Sequence, residues 1–319
     1  PTTRQIAGGW SLLGVPLVPL AGQDSWNAVV LGSAPGTSYL YDYQGATGYA
    51  EVGGGEAVGQ GQGVWLATTE GFTWTMSGNP DGGTIALPAR AGWNLVGYPL
   101  WVGGDLAGVS VGYAGQHYLW QAAVDLDLVS PFVYDYEDST DAYWPVASLE
   151  PWHGYWMAAH REGVTLEFNY RSMLGIATTS APAAGHVGSR LPNLVEVEPA
   201  PVSAAEDGSD QAAKSMAPGW QLHLRLAAGG QEVAIGRTAS ATVGFDAGFD
   251  LPVPPASPAG SESAMLVIRH PEWELACGSN FYTDLIDPLS EPQVWHLTVV
   301  RPEPGTESLQ WDPLALPEG

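Results

Sequence analysis

The chain has 319 residues, enough for two or three domains, and 45% of them are hydrophobic, which argues against wholesale disorder. It carries 34 acidic and 10 basic residues, a formal net charge of −24, so it repels phosphate backbones and we expect no nucleic-acid partner. No apolar run reaches about 18 residues, which predicts no transmembrane segment, and the single cysteine, Cys277, excludes an intrachain disulfide.

The first predicted elements occur twice in the chain. The phrases GWSLLGVPL and GWNLVGYPL share the pattern GWxLxGxPL, and each is followed by a tyrosine-rich segment containing YDY and then by a GVW or GYW segment. The matching landmarks are separated by 83, 93 and 91 residues: Trp10/Trp93, Asp42/Asp135 and Trp65/Trp156. A drifting offset indicates loop-length changes between the same strands. The sequence therefore predicts a duplicated β-domain, over residues 1–82 and 83–171.

The residues around each landmark favour β-strands that bury their tryptophans. In YLYDY the tyrosines alternate with Leu40 and Asp42, as they would along a strand. Gly9 and Gly92 each precede a tryptophan, where a turn or a close backbone approach is expected. The proline of each phrase places the first strand at an edge or a bulge. We interpret the recurring tryptophans as core residues: Trp10, Trp65, Trp93 and Trp156.

Residues 172–217 are rich in Ala, Ser, Pro and acids, a composition typical of a linker. Within it, Ala204–Met216 predicts a weak helix that Gly208 opposes. The Ser, Thr and Pro content suits O-linked sugars, whereas no Asn of the chain lies in an N-x-S/T sequon.

The last segment, residues 218–319, returns to strand patterns. WQLHLRL places Trp220 and three leucines on one face, and MLVIRH, VWHLTVV and SLQW follow at spacings typical of an antiparallel sandwich. Between them, GFDAGFDLPVPPASPAG predicts a long proline-rich connection. The whole chain is therefore predicted to be all-β.

These phrases resemble repeats of secreted and cell-surface bacterial β-proteins, including multidomain proteins of bacteria that use type IX secretion. The segment from GWQLHLRL to LQWDPLALPEG is similar to an immunoglobulin-like module of such proteins. The resemblance covers residues 5–170 and 218–319 and implies a fold and an extracellular location, with no catalytic role. In modules of this type further strands usually follow the LQWD…LPEG phrase. The resemblance thus implies an unfinished sandwich, completed by the linker, by a neighbour's N-terminal arm or by other strands.

No catalytic motif emerges, so we predict a protein that is not an enzyme. There is no G-x-S-x-G elbow, and the seven histidines are scattered without HExxH spacing. Acidic loops leave two alternatives. Asp246 and Asp250 offer hard oxygen ligands that suit calcium, the one cofactor considered, and a carboxylate pair from residues 125–141 would suit glycoside hydrolysis.

Aromatic-rich loops provide a second functional alternative, carbohydrate binding. Exposed Trp and Tyr rings stack on sugars, and four such residues lie near polar groups in the second copy: Tyr118, Trp120, Trp144 and Trp152. The competing interpretation is that these rings fill a small core.

The leading hypothesis is a structural subunit of an extracellular filament or surface assembly, joined to copies of itself by strand addition. The alternative is a carbohydrate-binding or adhesive module of a larger surface protein. A chain that opens at Pro1 without a leader indicates a processed, exported protein or an incomplete start. The expected subunit contacts lie at both ends: Pro1, Thr2, Thr3, Arg4, Gln5 and Ile6, with Trp311, Leu314 and Leu316.

Overall fold

The computed structural model describes residues 2–80, 82–137, 142–173, 219–227, 231–260, 264–290, 293–301 and 304–313. The protein is all-β, built from small sheets that are almost entirely antiparallel, which confirms the fold class predicted from the sequence. No helix of the described part is both long and apolar enough to cross a bilayer. The predicted linker helix, Ala204–Met216, lies outside the described residues.

The first repeat contains eight strands. They are β1 (Thr2–Ile6), β2 (Gly9–Gly14), β3 (Val18–Pro19), β4 (Ser38–Tyr43), β5 (Tyr49–Val52), β6 (Gly63–Thr68), β7 (Phe72–Met76) and β8 (Gly78–Asn79). Its main sheet has the order β2-β6-β4-β5, with β1 paired to β7 and β3 to β8. Short helical turns cover Asn27–Leu31 and Gly45–Thr47.

The described part of the second repeat contains ten strands and two short helices. The strands are β9 (Thr84–Ala89), β10 (Gly92–Gly97), β11 (Gly104–Asp105), β12 (Ser110–Tyr113), β13 (Gln116–Leu119), β14 (Val129–Glu137), β15 (Ala142–Val146), β16 (Ser148–Leu149), β17 (Gly154–Ala159) and β18 (Val164–Asn169). The helices are α1 (Trp120–Asp125) and α2 (Tyr170–Met173), with a 3₁₀ turn at Leu106–Gly108. The main sheet, β10-β17-β14-β15, repeats the order of the first, and the second sheet is β13-β12-β18-β9.

The repeated phrase begins and ends its strand as its sequence predicts. Gly9 and Gly92, the first residues of β2 and β10, have φ of 118° and 94°, a region that L-residues rarely adopt. Both strands end two residues before the proline, and both lie at the edge of their sheet. The glycine and the proline therefore set the limits of the strand.

In each repeat, the second glycine of the GWxLxGxPL phrase contacts the other repeat. These glycines are Gly14 and Gly97. The Gly14 amide donates to the Trp152 carbonyl at 2.8 Å, and the Gly97 amide donates to the Gly61 carbonyl at 3.0 Å. A Cβ on Gly14 would lie 2.2 Å from the His153 carbonyl oxygen. The two backbones thus approach too closely for any side chain, and the repeats are related by an approximate twofold axis at this point.

Aromatic side chains obey the same symmetry. The Trp65 ring meets Tyr136 of the other repeat edge-on, with centroids 4.7 Å apart, and Trp156 meets Tyr43 at the same distance. Trp65 and Trp156 are fully buried. Edge-to-face rings at this distance stabilise an interface beyond their apolar area alone. The duplicated Trp and Tyr landmarks are therefore the contact between the two repeats.

The C-terminal module is a two-layered sandwich. Its strands are β19 (Trp220–Leu226), β20 (Val233–Arg237), β21 (Met265–Arg269), β22 (Asn280–Phe281), β23 (Thr283–Ile286), β24 (Leu297–Val300) and β25 (Leu309–Trp311). One sheet has the order β23-β20-β19-β25, with a parallel β20/β23 pair, and the other has the order β22-β21-β24. A 3₁₀ turn covers Pro271–Trp273. The immunoglobulin-like assignment stays a prediction.

The proline-rich connection of the C-terminal module docks at the twofold axis. The Tyr49 hydroxyl of the first repeat donates to the Ala256 carbonyl, and the equivalent Tyr143 hydroxyl donates to the Pro255 carbonyl at 2.6 Å. The Trp93 indole also donates to the Cys277 carbonyl at 2.8 Å. The two repeats and the sandwich consequently share one hydrophobic cluster.

Candidate functional site

The edge strand β25 carries apolar side chains that face the core side of its sheet but remain exposed. Trp311 lies opposite Leu224 in the ladder, and Leu309 lies opposite Leu226. Directly opposed residues share a face of the sheet, and both of these β19 leucines are buried. Trp311 is nevertheless 49% exposed and Leu309 37% exposed. The sandwich core is therefore uncovered at this edge.

The neighbouring edge of the second sheet lies on the same side of the sandwich. Tyr282 is the single residue between β22 and β23, so these two edge strands lie on one side of the sandwich. Their sheets end at β24 and β25 respectively, which must then share the other side. On β24, Val299 and Val300 are also exposed. Val299 lies opposite the buried Leu266 and so faces the core side, whereas Val300 points to the other face of its sheet. We call the side chains of Val299, Leu309 and Trp311 the open seam.

The outer face of the β19/β25 pair is polar and contains a cation. His223, Arg225, Glu232 and Gln310 line a groove that also includes Leu309 and Trp311 of the edge strand. His223 Nδ1 lies 2.6 Å from a Glu232 carboxylate oxygen. Arg225 is exposed and lies opposite Gln310. Among the described residues, its guanidinium has no hydrogen-bond or ion-pair partner.

The predicted contact residues at the end of the chain fall at this seam only in part. Trp311 belongs to it, whereas Leu314 and Leu316 lie outside the described residues, as does Pro1. The seam also contains two apolar residues that sequence reasoning missed, Val299 and Leu309. The alternation in VWHLTVV and SLQW predicts strands, but it does not show that the edge is uncovered.

The N-terminal arm, predicted as a subunit contact, forms a strand within its own chain. Residues Thr2, Thr3, Arg4, Gln5 and Ile6 form β1 and pair with β7 of the same chain. Ile6 is buried in the first repeat's core. Arg4 Nη1 donates to the carbonyls of Leu12 and Trp152, the latter at 2.8 Å. Burial lowers the pKa of Arg4, an effect that Asp135 opposes.

Two of the four proposed sugar-binding residues are inside the protein. Trp120 is buried at the start of α1, and its indole donates to the Pro131 carbonyl at 3.0 Å. Trp152 is buried against Trp74, with ring centroids 4.6 Å apart. These rings fill cores, as in the competing interpretation.

The other two proposed sugar-binding residues lie on edge strands of different sheets. Tyr118 is partly buried on β13 and packs against the second repeat's core. Trp144 on β15 is 47% exposed. The structure also presents an exposed ring that sequence reasoning missed, Trp101, stacked on Tyr170 with centroids 5.9 Å apart. Trp101 directly follows the repeated phrase, and its counterpart in the first repeat is Val18.

The proposed calcium ligands serve the backbone instead. Asp250 is fully buried, and its two oxygens accept from the Leu285 and Asp246 amides. Asp246 in turn accepts from the Thr242 amide. Burial raises the pKa of Asp250 to about 8, and the nearby Asp284 carboxylate adds to the shift. The described residues offer no group of three or more side chains suited to a metal ion.

A Ser–His–Asp arrangement that the spacing did not reveal lies beside β14 and β17. The Ser130 hydroxyl is 3.0 Å from His160 Nε2, and His160 Nδ1 is 2.6 Å from Asp127. The hydrogen bond with His160 lowers the pKa of Asp127, and Arg161 contributes. Ser130 is only 1% exposed, so no substrate reaches its hydroxyl in this conformation. The arrangement ties the two strand ends together.

The carboxylates considered for glycoside hydrolysis have separate partners. Asp125 accepts from Gln121, Asp127 accepts from Arg161, and Asp135 contacts His153 at 3.1 Å. Positions 138 and 141 lie outside the described residues. The described acids are thus engaged in local bonds.

Comparison with known proteins adds nothing to this geometry. No protein-family model matches the chain, and no curated protein or solved structure matches it at a significant level.

Proposed function

We propose that the protein is a structural subunit of an extracellular filament or surface assembly, joined to its neighbours by strand addition at the open seam. One observation carries the proposal: Trp311 and Leu309 face the core side of their sheet, opposite buried leucines, and remain exposed. An added strand would hydrogen-bond to the edge of β25 and cover these side chains.

Burial of the seam supplies a driving force for association. Covering apolar surface stabilises a contact by roughly 25 cal/mol per Å², and an aromatic anchor such as Trp311 is typical of the residues that dominate an interface. An uncovered apolar edge is otherwise an aggregation hazard that monomeric proteins avoid. The chain's −24 charge opposes non-specific association and so favours a specific contact.

The joint would be heterologous, since the acceptor edge and the donated strand are different surfaces. Such contacts produce open filaments unless the rotation closes a ring. The shared hydrophobic cluster supports this role, because it fixes the repeats against the sandwich and gives each subunit one geometry. The extracellular location rests on the sequence resemblance and the acidic composition.

Electron microscopy and sedimentation of the purified chain test the proposal. We expect regular fibres or sheets from the unaltered protein and their loss in a Leu309→Asp/Trp311→Asp variant. Trp144→Asp is the matched control, since Trp144 is equally exposed on another edge strand, β15. Dispersed particles from the unaltered chain, or assembly that survives the double substitution, would contradict the proposal.

The alternative, carbohydrate binding, is favoured by one observation. The exposed Trp101 stacks on the partly buried Tyr170, and at the equivalent position the first repeat has Val18. A glycan array probed with the unaltered chain and with Trp101→Ala would separate this function from assembly. Binding lost in the variant, with assembly unaffected, would support the alternative.

A further inference from the structure

We propose that the strand added at the open seam is residues 193–198 of a neighbouring copy, with the sequence NLVEVE. This inference rests on the proposed function and identifies the partner of the same site. The segment lies outside the described residues, in the acidic stretch between the second repeat and the sandwich.

The seam defines what its occupant must look like. A strand added beside β25 would place alternate side chains on the two faces of the sheet. On the core side it would meet Leu309 and Trp311, which require apolar partners. On the outer side it would lie near Gln310 and, one strand further, the long side chain of Arg225. The occupant should therefore alternate apolar and acidic residues.

Residues 195–198 have this alternation. Val195 and Val197 would fall on the core side, and Glu196 and Glu198 on the outer side. Valine suits a strand position, and opposite charges on neighbouring strands attract. Pro192 and Pro199 bracket the segment and, lacking an amide hydrogen, limit the ladder to the residues between them.

Charge complementarity also favours this segment. Among the basic side chains, Arg4 and Arg161 have hydrogen-bond acceptors within the protein, whereas Arg225 has none in the described part of the chain. A solvent-exposed guanidinium beside an apolar seam is a ready partner for a carboxylate. In a chain of net charge −24, such a cation attracts an acidic segment toward the seam beside it.

A peptide-binding measurement tests the pairing. The probe is a fluorescein-labelled peptide of residues 192–199, titrated by anisotropy with full-length protein that carries Val195→Asp/Val197→Asp, which vacates the seam. We expect saturable binding that weakens about tenfold or more with Trp311→Ala and with Arg225→Glu. Arg171→Glu, an exposed arginine on α2, is the charge-matched control and should leave binding unchanged.

A charge reversal makes the test specific. The Glu196→Lys/Glu198→Lys peptide should bind poorly to protein with Arg225 and more tightly to the Arg225→Glu variant. A peptide affinity that changes neither with the charge reversal nor with Trp311→Ala would overturn the inference.

Assembly of the full chain separates this inference from the proposed function. Val195→Asp/Val197→Asp should abolish assembly while circular dichroism shows an unchanged fold. Assembly that survives this change overturns the inference and leaves the proposed function standing. An unaltered chain that never assembles overturns the proposed function itself. If Val195→Asp/Val197→Asp exposed the seam in a chain that is strictly monomeric, the segment would be binding within its own molecule, which would also overturn the inference.

Discussion

The two repeats have the same main sheet but different surroundings. In both, a GWxLxGxPL strand, a GVW or GYW strand, a YDY strand and a short fourth strand follow the same order. Beyond this sheet the second repeat adds the β12/β13 hairpin beside β18, whereas in the described residues β7 of the first repeat pairs with β1. The conserved part of the duplication is the part that forms the contact between repeats. The variable part also reaches this contact, because Arg4 of β1 and Trp74 of β7 both contact Trp152 of the other repeat.

One position shows how far the symmetry constrains the backbone. Gly61 and Trp152 are equivalent, and both are left-handed, with φ of 80° and 76°. Tryptophan is strained there, at a cost on the order of 1 to 3 kcal/mol. Its carbonyl accepts from the Gly14 amide and from Arg4, and its ring is buried against Trp74. The contact between the repeats thus stabilises Trp152 in a backbone conformation that L-residues rarely adopt.

The largest predicted effect breaks this symmetric contact. Gly14→Ala would place a Cβ 2.2 Å from the His153 carbonyl oxygen, and Gly97→Ala would place one 2.3 Å from the Gln62 carbonyl oxygen. In each case the carbonyl belongs to the other repeat. Since backbone atoms cannot yield as a flexible side chain does, we expect each variant to lose more than about 3 kcal/mol in the free energy of unfolding. Urea denaturation followed by tryptophan fluorescence measures the loss.

Gly55→Ala is the control for both glycine variants. A Cβ on Gly55 would meet no atom within 4 Å. Its stability should change by less than about 0.5 kcal/mol. If Gly14→Ala were as mild as this control, the repeats would not be held in the close approach described.

The second prediction contrasts the sandwich with the second repeat through pH. Burial raises the pKa of Asp250 to about 8, so its neutral form is favoured by folding. Burial lowers the pKa of His270, but hydrogen bonds to Asp284 and Glu272 outweigh it and the net pKa is raised. Both groups bind more protons in the folded state. Their contribution is therefore full in acid and is lost as pH rises through the folded pKa values.

We expect the sandwich to lose on the order of 2 kcal/mol of stability between pH 5.5 and 8.5. The Asp127 pKa is lowered by its hydrogen bond with His160, so the second repeat should instead lose stability as pH falls below the ordinary Asp pKa, about 4. Hydrogen exchange of β20 and β17 amides at several pH values separates the two trends. Asp250→Asn should flatten the sandwich's dependence, and an unchanged slope would contradict the assignment.

A third prediction sharpens the comparison at two equivalent tryptophans. Trp26 and Trp120 are both buried, but the Trp120 indole donates to the Pro131 carbonyl, whereas the Trp26 indole nitrogen has no partner among the described residues. Trp120→Phe should therefore cost about 1 kcal/mol more than Trp26→Phe in the free energy of unfolding. Thermal denaturation of the pair checks this. Equal losses would mean that the indole hydrogen bond contributes nothing.

The smallest effect concerns the exposed Trp144. Because nearly half of its side chain contacts solvent, Trp144→Ala should change the free energy of unfolding by no more than about 0.5 kcal/mol. Sugar affinity, if the protein has any, should fall with this variant only if Trp144 belongs to the binding site. Calorimetry with the variant measures both quantities, and a loss above about 2 kcal/mol would show that Trp144 is structural.

Much of the fold could be predicted from the sequence, because local patterns carry it. Trp65, Trp93 and Trp156 are buried as the repeat indicated, and Trp10 packs partly buried on the same cluster. Sequence reasoning failed where burial depends on residues far apart in the sequence. Sequence reasoning placed Trp120 in a loop, although Trp26 stands 16 residues before Asp42 much as Trp120 stands 15 before the equivalent Asp135. The candidate site was predicted only at Trp311.

By itself, the sequence determined the all-β class, the duplication, the strand limits at glycine and proline, and the alternation of β19. These follow from backbone preference and from side-chain periodicity, which act over a few residues. Only the tertiary structure decided that Gly14 and Gly97 meet the other repeat, that Asp127, Ser130 and His160 come together, and that Leu309 and Trp311 remain uncovered. Such contacts depend on which strands become neighbours, a choice made by the packing of the whole chain.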